Sequence, residues 1–498
     1  MTMSENLEDS WSPEDSTKPL SILSANERSA VQQGATAYCT FKVASAYEQS
    51  SPNTSQLDSK PERRSSTSAE SSTGAPAPLS WSEVRLLVCL SASGLLAGSC
   101  ANIQAPFFTH EAHRRGLSSA ASCSVFSCFA LAHSLAFPAM GWLAPRLGVT
   151  RLYRLGLLLA GGTTVAFGLL AYVRRPVMFL AWSLTVRAAE AVGAAAIKTA
   201  ANTIIIGQFR RRVNSAISVV EGMYGGGLCL GPALGGAMYS LGGYGAPFYT
   251  LGSLLLLTAA ASLVLMPTVT DESAGKTEND GEERSYRDML WMVFSASDSW
   301  LLLTTLALYA VNWNAIDFNI EPYAHHTLGL QPAELSLFFL GSFAGYAVSS
   351  PLWGRLSDAV DNTFLLVAGC LAPAALGVLL IPPAPLLGLQ PSRLLLGLGM
   401  TLREVFQLGA YLPLLPLMVR LSVAGGLQRD VRGQALVSAV FGAAYSLGNL
   451  IGPVGGGLVT DLWGYPTLAT WLGGATALLC LAVAARGVVY STTRHNSL

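Results

Sequence analysis

Ionisable residues inside long apolar stretches are the part of this sequence best suited to chemistry. Glu221 and Asp317 each lie near the middle of such a stretch, and neither has a lysine or arginine three or four residues away. A charge at the centre of a bilayer costs about 3 kcal/mol or more, so it requires a reason. A carboxyl group withdrawn from water also has a raised pKa and can exchange protons near neutral pH. The two acids predict a site for protons or a cationic substrate, with a protonated structural acid as the alternative for each.

Four further residues join this candidate substrate and proton site. Arg187 and Glu190 are three residues apart on one helical face, where they can either neutralise each other as a structural pair or shape the electric field of a cavity. His133 could shuttle protons, as histidine side chains do in other proteins, but a hydrogen-bonded packing histidine is the equal alternative. Glu321 lies near the end of the stretch that holds Asp317.

Three other charged residues in apolar stretches have weaker assignments. Lys198 is predicted to extend its long side chain to the membrane surface, where its ammonium group would be hydrated. Arg403 and Glu404 are adjacent, so they point to different faces of a helix. Each is therefore expected to need a partner of its own, and neither has an assigned role.

The stretches that hold these residues have the length of transmembrane helices. Charged residues make up 12% of the 498 residues, and the mean hydropathy is +0.43. A soluble chain carries about 25% charged residues. Twelve apolar stretches are found, at 84–108, 118–141, 152–173, 177–201, 214–240, 246–267, 299–323, 333–354, 363–383, 391–418, 435–459 and 466–490. A span of about 20 apolar residues crosses the hydrocarbon core as a helix. We predict an all-α membrane protein with twelve transmembrane helices in the lipid bilayer.

The remaining segments set the predicted domain organisation. Residues 1–79 are predicted to be a disordered cytosolic tail, and 268–298 a polar, acidic cytosolic linker. They flank two six-helix bundles, at 80–267 and 299–490, which are followed by a short tail at 491–498. Arginines concentrate in the loops after even-numbered spans, which places those loops and both termini in the cytosol.

A glycine-rich motif recurs in the two halves. Gly231-Pro232 in the fifth span reappears as Gly452-Pro453 in the eleventh, which indicates a duplicated six-helix unit. Small residues spaced by four let helix backbones approach closely, and proline permits a bend. These residues are predicted to pack helices tightly and to seal a gate in alternating access. The set comprises Gly227, Gly231, Pro232, Gly235, Gly236, Gly448, Gly452, Pro453 and Gly456.

The glycine–proline pattern resembles the antiporter motif of the major facilitator superfamily. Other stretches resemble the vesicular amine transporter family (solute carrier family 18), and within it the B1-type polyamine branch. They are Pro106–Ala112, Phe126–Leu131, Val186-Arg187, Glu221 ahead of Leu230-Gly231-Pro232, Asp317, and Ser349–Gly354. The resemblance covers about 80–490 and implies a major facilitator fold with proton-coupled exchange of amines into acidic vesicles.

Several positions depart from the patterns of these families. Phe129, Tyr411 and Gly442 stand where monoamine and acetylcholine transporters carry a lysine and two aspartates, which argues against those substrates. The B1-type branch lacks the same acids and keeps the acids at 221 and 317, but it carries glutamate at the place of His133. In the loop motif of the superfamily, Pro145 stands where aspartate is usual, so the charge relay of that motif is in doubt here.

The resulting hypothesis is a proton antiporter for organic cations, most of all polyamines, that acts at vesicles and works as a monomer. Aromatic residues Tyr224, Trp313 and Tyr445 are expected to line its cavity. The alternatives are a multidrug-type efflux antiporter at the plasma membrane and a non-transporting receptor or scaffold. The zero net charge argues against nucleic acid as a partner. The sequence shows no metal-ligand cluster, no nucleotide-binding loop and no catalytic triad, so no enzymatic activity and no cofactor are predicted.

Overall fold

The computed structural model describes residues 79–104, 107–209, 211–266, 285–296, 298–384 and 387–495, and within these ranges the regular structure is entirely helical. The α-helices are α1 (Trp81–Asn102), α2 (Phe108–Arg114), α3 (Ser119–Leu147), α4 (Val149–Leu169), α5 (Pro176–Gln208), α6 (Val213–Gly242), α7 (Gly245–Leu265), α8 (Tyr286–Ser295), α9 (Ser299–Leu328), α10 (Pro332–Ala359), α11 (Thr363–Leu380), α12 (Arg393–Tyr411), α13 (Leu414–Ala424), α14 (Val431–Trp463) and α15 (Tyr465–His495). We call α1–α7 the N-terminal half and α9–α15 the C-terminal half.

Helices occupy all twelve predicted spans. Within the described residues, eleven helical segments are long and apolar enough to cross a membrane. The remaining span is α6, which has 30 residues but does not reach the same hydropathy. Its many glycines contribute little to hydropathy, because glycine has no apolar side chain. The same glycines give α6 its close contact with α1.

Two segments differ from the sequence prediction. The predicted tenth span, 391–418, is divided into α12 and α13 around Pro413, which has no N–H group to continue the helix. Helix α8 occupies the later part of the predicted linker and is held there by contacts. The hydroxyl of Tyr286 donates to the carbonyl of Pro138 at 2.9 Å, and Val293 is buried. Residues 1–78 of the predicted N-terminal tail, 268–284 of the linker and 496–498 of the predicted C-terminal tail lie outside the described residues, while α15 continues through 491–495.

The glycine motifs form two equivalent helix seams. A Cβ atom on Gly227 or Gly235 of α6 would lie 2.1 or 2.2 Å from a carbonyl oxygen of the α1 segment, at Leu95 and Ile103 respectively. Such distances are shorter than any van der Waals contact, so only glycine permits this approach. The equivalent seam joins α14 to α9, where a Cβ on Gly452 would lie 2.9 Å from the Cβ of Asn314. Close helix approaches at glycine are therefore found in both halves.

The two halves meet where α3 packs against α14 and α6 packs against α10. The hydroxyl of Ser350 donates to the carbonyl of Ser218 at 2.6 Å across the α6–α10 contact. At the α3–α14 contact, a Cβ on Gly442 would lie 2.2 Å from the ring of Phe137. These contacts join the halves toward the end of the bundle where α3 and α10 finish and α6 and α14 begin.

A carboxylate from one half caps a helix of the other half. Asp358 of α10 accepts hydrogen bonds from the backbone N–H groups of Asn214 and Ser215 at 3.0 and 2.9 Å, at the N-terminus of α6. The side chains of both residues also donate to it, at 2.8 and 2.6 Å. The matching contact is replaced in the other half: Pro145 stands near the end of α3, and α14 is capped by its own Asp430. In the described residues, the loop motif therefore provides this carboxylate cap at α6 and not at α14.

Candidate functional site

A central cavity lies between the two halves. Helices α1, α3, α5 and α6 form one wall, and α9, α10, α12 and α14 form the other. The lining residues are Leu90, Ser93, Gly94, Ala97, Ala101, Phe129, His133, Phe137, Ala194, Ile197, Lys198, Ala201, Val220, Glu221, Tyr224, Tyr309, Trp313, Tyr346, Tyr411, Phe441, Gly442 and Tyr445. Within this lining, formal charges are confined to the N-terminal half.

The two charged residues of the cavity form an ion pair. The ammonium group of Lys198 on α5 contacts the Oε1 atom of Glu221 on α6, and Glu221 is 5% exposed. The hydroxyl of Tyr411 donates to the same oxygen at 3.3 Å. The prediction that Lys198 extends to the membrane surface is therefore wrong. Its partner lies on another helix, 23 residues away in sequence, and a spacing rule for one helix cannot find it.

Aromatic side chains surround the ion pair. Tyr224, Trp313 and Tyr445 line the cavity as predicted, and the Lys198 ammonium lies 5.1 Å from the ring centre of Tyr224. Three more tyrosines, which were not predicted, line the cavity at positions 309, 346 and 411. Tyr309 precedes Trp313 by one helical turn, so its place on the same face was available from spacing alone. The electron-rich ring faces make the cavity suitable for a cation.

His133 lines the cavity from α3 and is held by three neighbours. Its Nδ1 atom lies 2.9 Å from the hydroxyl oxygen of Ser446, and its ring packs on Phe129 and Phe137 at centroid distances of 5.5 and 4.7 Å. These contacts are compatible with both alternatives, since a packed histidine at a cavity wall can also bind a proton. Ser446 belongs to α14, so the hydrogen bond crosses between the halves.

Asp317 is not among the residues that line the cavity with Glu221, so the structure separates the two acids that were predicted to form one site. Its Oδ1 accepts a hydrogen bond of 2.6 Å from Nη2 of Arg403, and the same nitrogen contacts Glu404. The expectation of separate partners for Arg403 and Glu404 is also wrong. Adjacent Cβ atoms diverge on a helix, but the long arginine side chain returns its guanidinium to the neighbouring carboxylate.

The remaining predicted residues lie outside the cavity. Arg187 and Glu190 form a buried pair at 2.7 Å, the structural alternative, behind the wall formed by Phe129. The Arg187 guanidinium stacks 4.3 Å from the centre of the Phe129 ring, which does line the cavity. Glu321 is exposed and is not among the lining residues. In the described ranges, no group of three or more histidine, cysteine or acidic side chains is arranged to hold a metal ion.

Family membership follows from comparison with known sequences. Residues 90–419 and 302–497 match the sequence model of the Major Facilitator Superfamily in two overlapping segments. The chain belongs to this superfamily. It is therefore a multi-pass membrane transporter rather than an enzyme, and its described helices fit the twelve-helix fold of that superfamily.

Individual relatives refine the placement within the superfamily. The chain is 29% identical over 408 residues to the mouse (Mus musculus) MFS-type transporter SLC18B1, and this covers 82% of the chain and 86% of the relative. The human protein of the same name is 29% identical over 392 residues, or 78% and 83% of the two chains. A more distant homologue is the mouse synaptic vesicular amine transporter, 24% identical over 266 residues, or 52% and 46%.

Solved structures with the same fold include transporters of different specificity. The human organic anion transporter MFSD10 superposes with a TM-score of 0.62 at 16% identity, covering 80% of this chain and 99% of that one. FucP in its outward conformation gives a TM-score of 0.64 at 14% identity, covering 80% and 98%. At these identities the similarity concerns the fold alone.

Proposed function

We propose that this protein is a proton-coupled antiporter that moves organic cations, polyamines or related amines, into acidic vesicles. The observation that carries the proposal is the buried carboxylate of Glu221 in a cavity lined by aromatic rings, where the Lys198 ammonium already occupies the position of a cationic ligand. A carboxylate beneath ring faces has the chemistry that recognises an ammonium group.

The ion pair defines how an amine would bind. A substrate ammonium group would replace the Lys198 ammonium at Glu221, so the carboxylate keeps a positive partner throughout. Contact with the surrounding rings contributes about 0.5–2 kcal/mol per cation–π interaction, more where water is excluded. A chain with several ammonium groups can use several rings at once, which favours polyamines over small monovalent amines.

The two contacts between the halves are the surfaces that would open and close during transport. The seams α1–α6 and α9–α14 hold each half together, while α3–α14 and α6–α10 are the surfaces that would separate in alternating access. Glu221, Lys198, His133 and the aromatic residues of the lining would then face alternate sides of the membrane. In this proposal the arginine-rich loops and both termini face the cytosol.

The relatives support amines as the substrate class. The names of the more distant homologues describe amine transporters of synaptic vesicles and chromaffin granules. The retained carboxylate at 221 agrees with a cationic substrate. The absence of acids at Tyr411 and Gly442, which both line the cavity, agrees with a substrate other than a monoamine.

A second candidate is a multidrug-type efflux antiporter of the plasma membrane. Six lining tyrosine and tryptophan rings, at 224, 309, 313, 346, 411 and 445, would also accept flat aromatic cations. The two candidates differ in substrate shape and compartment. A third candidate, a receptor or scaffold that does not transport, gives no role to the buried Lys198–Glu221 ion pair of the cavity.

Transport into proteoliposomes tests the proposal. Purified protein is reconstituted, a pH gradient is imposed, and uptake of radiolabelled spermidine is compared between wild type, Glu221→Gln and the matched surface control Asp461→Asn. Asp461 is exposed near the end of α14. We expect gradient-dependent uptake by wild type and by Asp461→Asn, which a protonophore abolishes, and at least a tenfold loss in Glu221→Gln.

The opposite results separate the candidates. Uptake of a flat aromatic cation but not of spermidine by folded wild type would favour the efflux antiporter. If neither compound is transported, the amine assignment is wrong, and equal uptake by Glu221→Gln would remove Glu221 from the substrate site.

A further inference from the structure

A second buried charge cluster lies in the C-terminal half, outside the cavity lining. It consists of Asp317 on α9 and of Arg403 and Glu404 on α12. Arg403 and Glu404 are 0% and 3% exposed, and the side chain of Asp317 is 13% exposed. The cluster therefore holds two carboxyl groups and one guanidinium in a region of low dielectric.

The charges of this cluster do not balance when both acids are ionised. The guanidinium keeps its charge at all accessible pH values, so two carboxylates would leave a net charge of −1. Nη2 of Arg403 serves both carboxylates, while its Nε and Nη1 atoms have no protein hydrogen-bond partner in the described structure. A buried uncompensated charge is costly, and a single proton shared between the two acids removes it.

Phenol side chains surround the cluster. The neighbouring titratable groups are phenols, namely Tyr465 on α15, Tyr445 on α14, Tyr346 on α10, and Tyr309 and Tyr323 on α9. The hydroxyl of Tyr465 donates to the carbonyl of Ile316 at 3.3 Å. Among the described residues that pack here, no cation besides Arg403 offsets the second carboxylate. The unpartnered guanidinium N–H groups leave donors for a water molecule, which a proton needs to enter or leave.

The cluster is in contact with the cavity through side chains that belong to both. The indole of Trp313 lines the cavity and interacts with the Asp317 carboxyl, one helical turn further along α9. Tyr346 also lines the cavity and lies within electrostatic range of both Glu221 and Glu404. A change of protonation in the cluster would therefore act on two residues of the cavity wall.

We propose that Asp317 and Glu404 share the coupling proton, with Arg403 holding the two carboxyl groups together. The N-terminal half then carries the amine at Glu221, and the C-terminal half carries the proton. In each cycle one proton is transferred from water on the acidic side to a carboxylate oxygen of the pair, and is returned to water on the other side. This inference rests on the proposed function, but it also makes a claim about proton binding that needs no substrate.

The first experiment separates coupling from substrate binding. Glu404→Gln is reconstituted and assayed for uptake driven by a pH gradient and for exchange of labelled against unlabelled spermidine at equal pH. We expect at least a tenfold loss of gradient-driven accumulation with exchange kept within about threefold of wild type. Glu221→Gln is expected to lose both, and Glu404→Asp is expected to recover part of the gradient-driven uptake. Normal gradient-driven uptake by Glu404→Gln, or equal loss of both activities in folded protein, would overturn the assignment.

The second experiment works whether or not spermidine is the substrate. Infrared spectroscopy of the purified protein in water and heavy water reports the C=O stretch of protonated carboxyl groups. We expect such a band in wild type at neutral pH and its loss in both Glu404→Gln and Asp317→Asn, because the remaining acid then pairs as an ion with Arg403. A band unchanged by both substitutions would show that the pair binds no proton, while an affected band without spermidine transport would contradict only the proposed substrate.

Discussion

Tyr411 of the C-terminal half donates a hydrogen bond of 3.3 Å to Oε1 of Glu221 in the N-terminal half, the same oxygen that Lys198 contacts. The carboxylate thus has one partner that stays with it when the halves separate and one that does not. In the proposed cycle, a substrate ammonium group replaces Lys198 without disturbing Tyr411. The Tyr411–Glu221 hydrogen bond therefore depends on the relative position of the halves, whereas the Lys198–Glu221 ion pair depends on whether a cation occupies the site.

Removal of the Tyr411 hydroxyl is expected to weaken the conformation described here. A net hydrogen bond contributes about 1 kcal/mol, so Tyr411→Phe should lower the ratio of this conformation to its alternatives about fivefold. The ring and its contacts with Tyr309 and Tyr445 remain. Distances between spin labels on the two halves measure the shift, with the exposed Tyr172→Phe as a control. An unchanged distance distribution would count against a role for this bond between the halves.

The Lys198–Glu221 pair should show strong coupling in stability. Lys198→Met leaves an unpaired buried carboxylate and is expected to lower the free energy of unfolding by about 1–3 kcal/mol, with the cavity softening the penalty. The double variant Lys198→Met/Glu221→Gln removes both charges and should recover most of that loss. Thermal unfolding of the wild type, the single variants and the double variant in detergent, with and without spermidine, completes this double-mutant cycle.

Two outcomes would be informative for this pair. If spermidine stabilises Lys198→Met more than wild type, the amine takes the place of the lysine ammonium. If the losses of unfolding free energy in the two single variants simply add in the double variant, the two side chains do not depend on one another. The interpretation that Lys198 occupies the position of a cationic ligand would then be wrong.

The glycine seam predicts a sharp difference between neighbouring glycines of α6. A Cβ on Gly227 would lie 2.1 Å from the Leu95 carbonyl oxygen, whereas the nearest atom to a Cβ on Gly226 is 3.8 Å away. Gly227→Ala is therefore expected to reduce the yield of folded, monodisperse protein severalfold, and Gly226→Ala to be tolerated. Fluorescence-detected size-exclusion chromatography of both variants gives the comparison. Equal behaviour would mean that α1 and α6 can separate at little cost.

The cap on α6 should control how readily the halves part. Asp358→Asn leaves one acceptor oxygen where the carboxylate used two, and it places an amide donor against the backbone N–H groups of the helix end. We expect a loss of about 1–2 kcal/mol for the capped state. A single cysteine introduced at the α6–α10 contact should then be labelled roughly five to thirty times faster by a maleimide. Asp461→Asn serves as the control, and unchanged labelling would exclude a latch at Asp358.

Sequence reasoning predicted those features whose cause is local. Gly231 and Gly452 were identifiable because small residues at a spacing of four have one common use, and Arg187 and Glu190 because three residues separate neighbours on a helix face. The Lys198–Glu221 pair was not predictable, since its members lie on different helices and the register between α5 and α6 depends on tertiary packing. The Asp317–Arg403–Glu404 cluster escaped prediction because Arg403 reaches sideways from its own helix to a partner on α9.

The division of the cavity between the halves has a consequence for the release of a bound ligand. Glu221 comes from one half and most of the rings come from the other, so neither half possesses a complete receptor by itself. When the halves part on one side, the ligand loses some of its wall because the pocket comes apart. In the proposed cycle, separation of the halves on one side therefore weakens substrate binding and favours release of the substrate on that side.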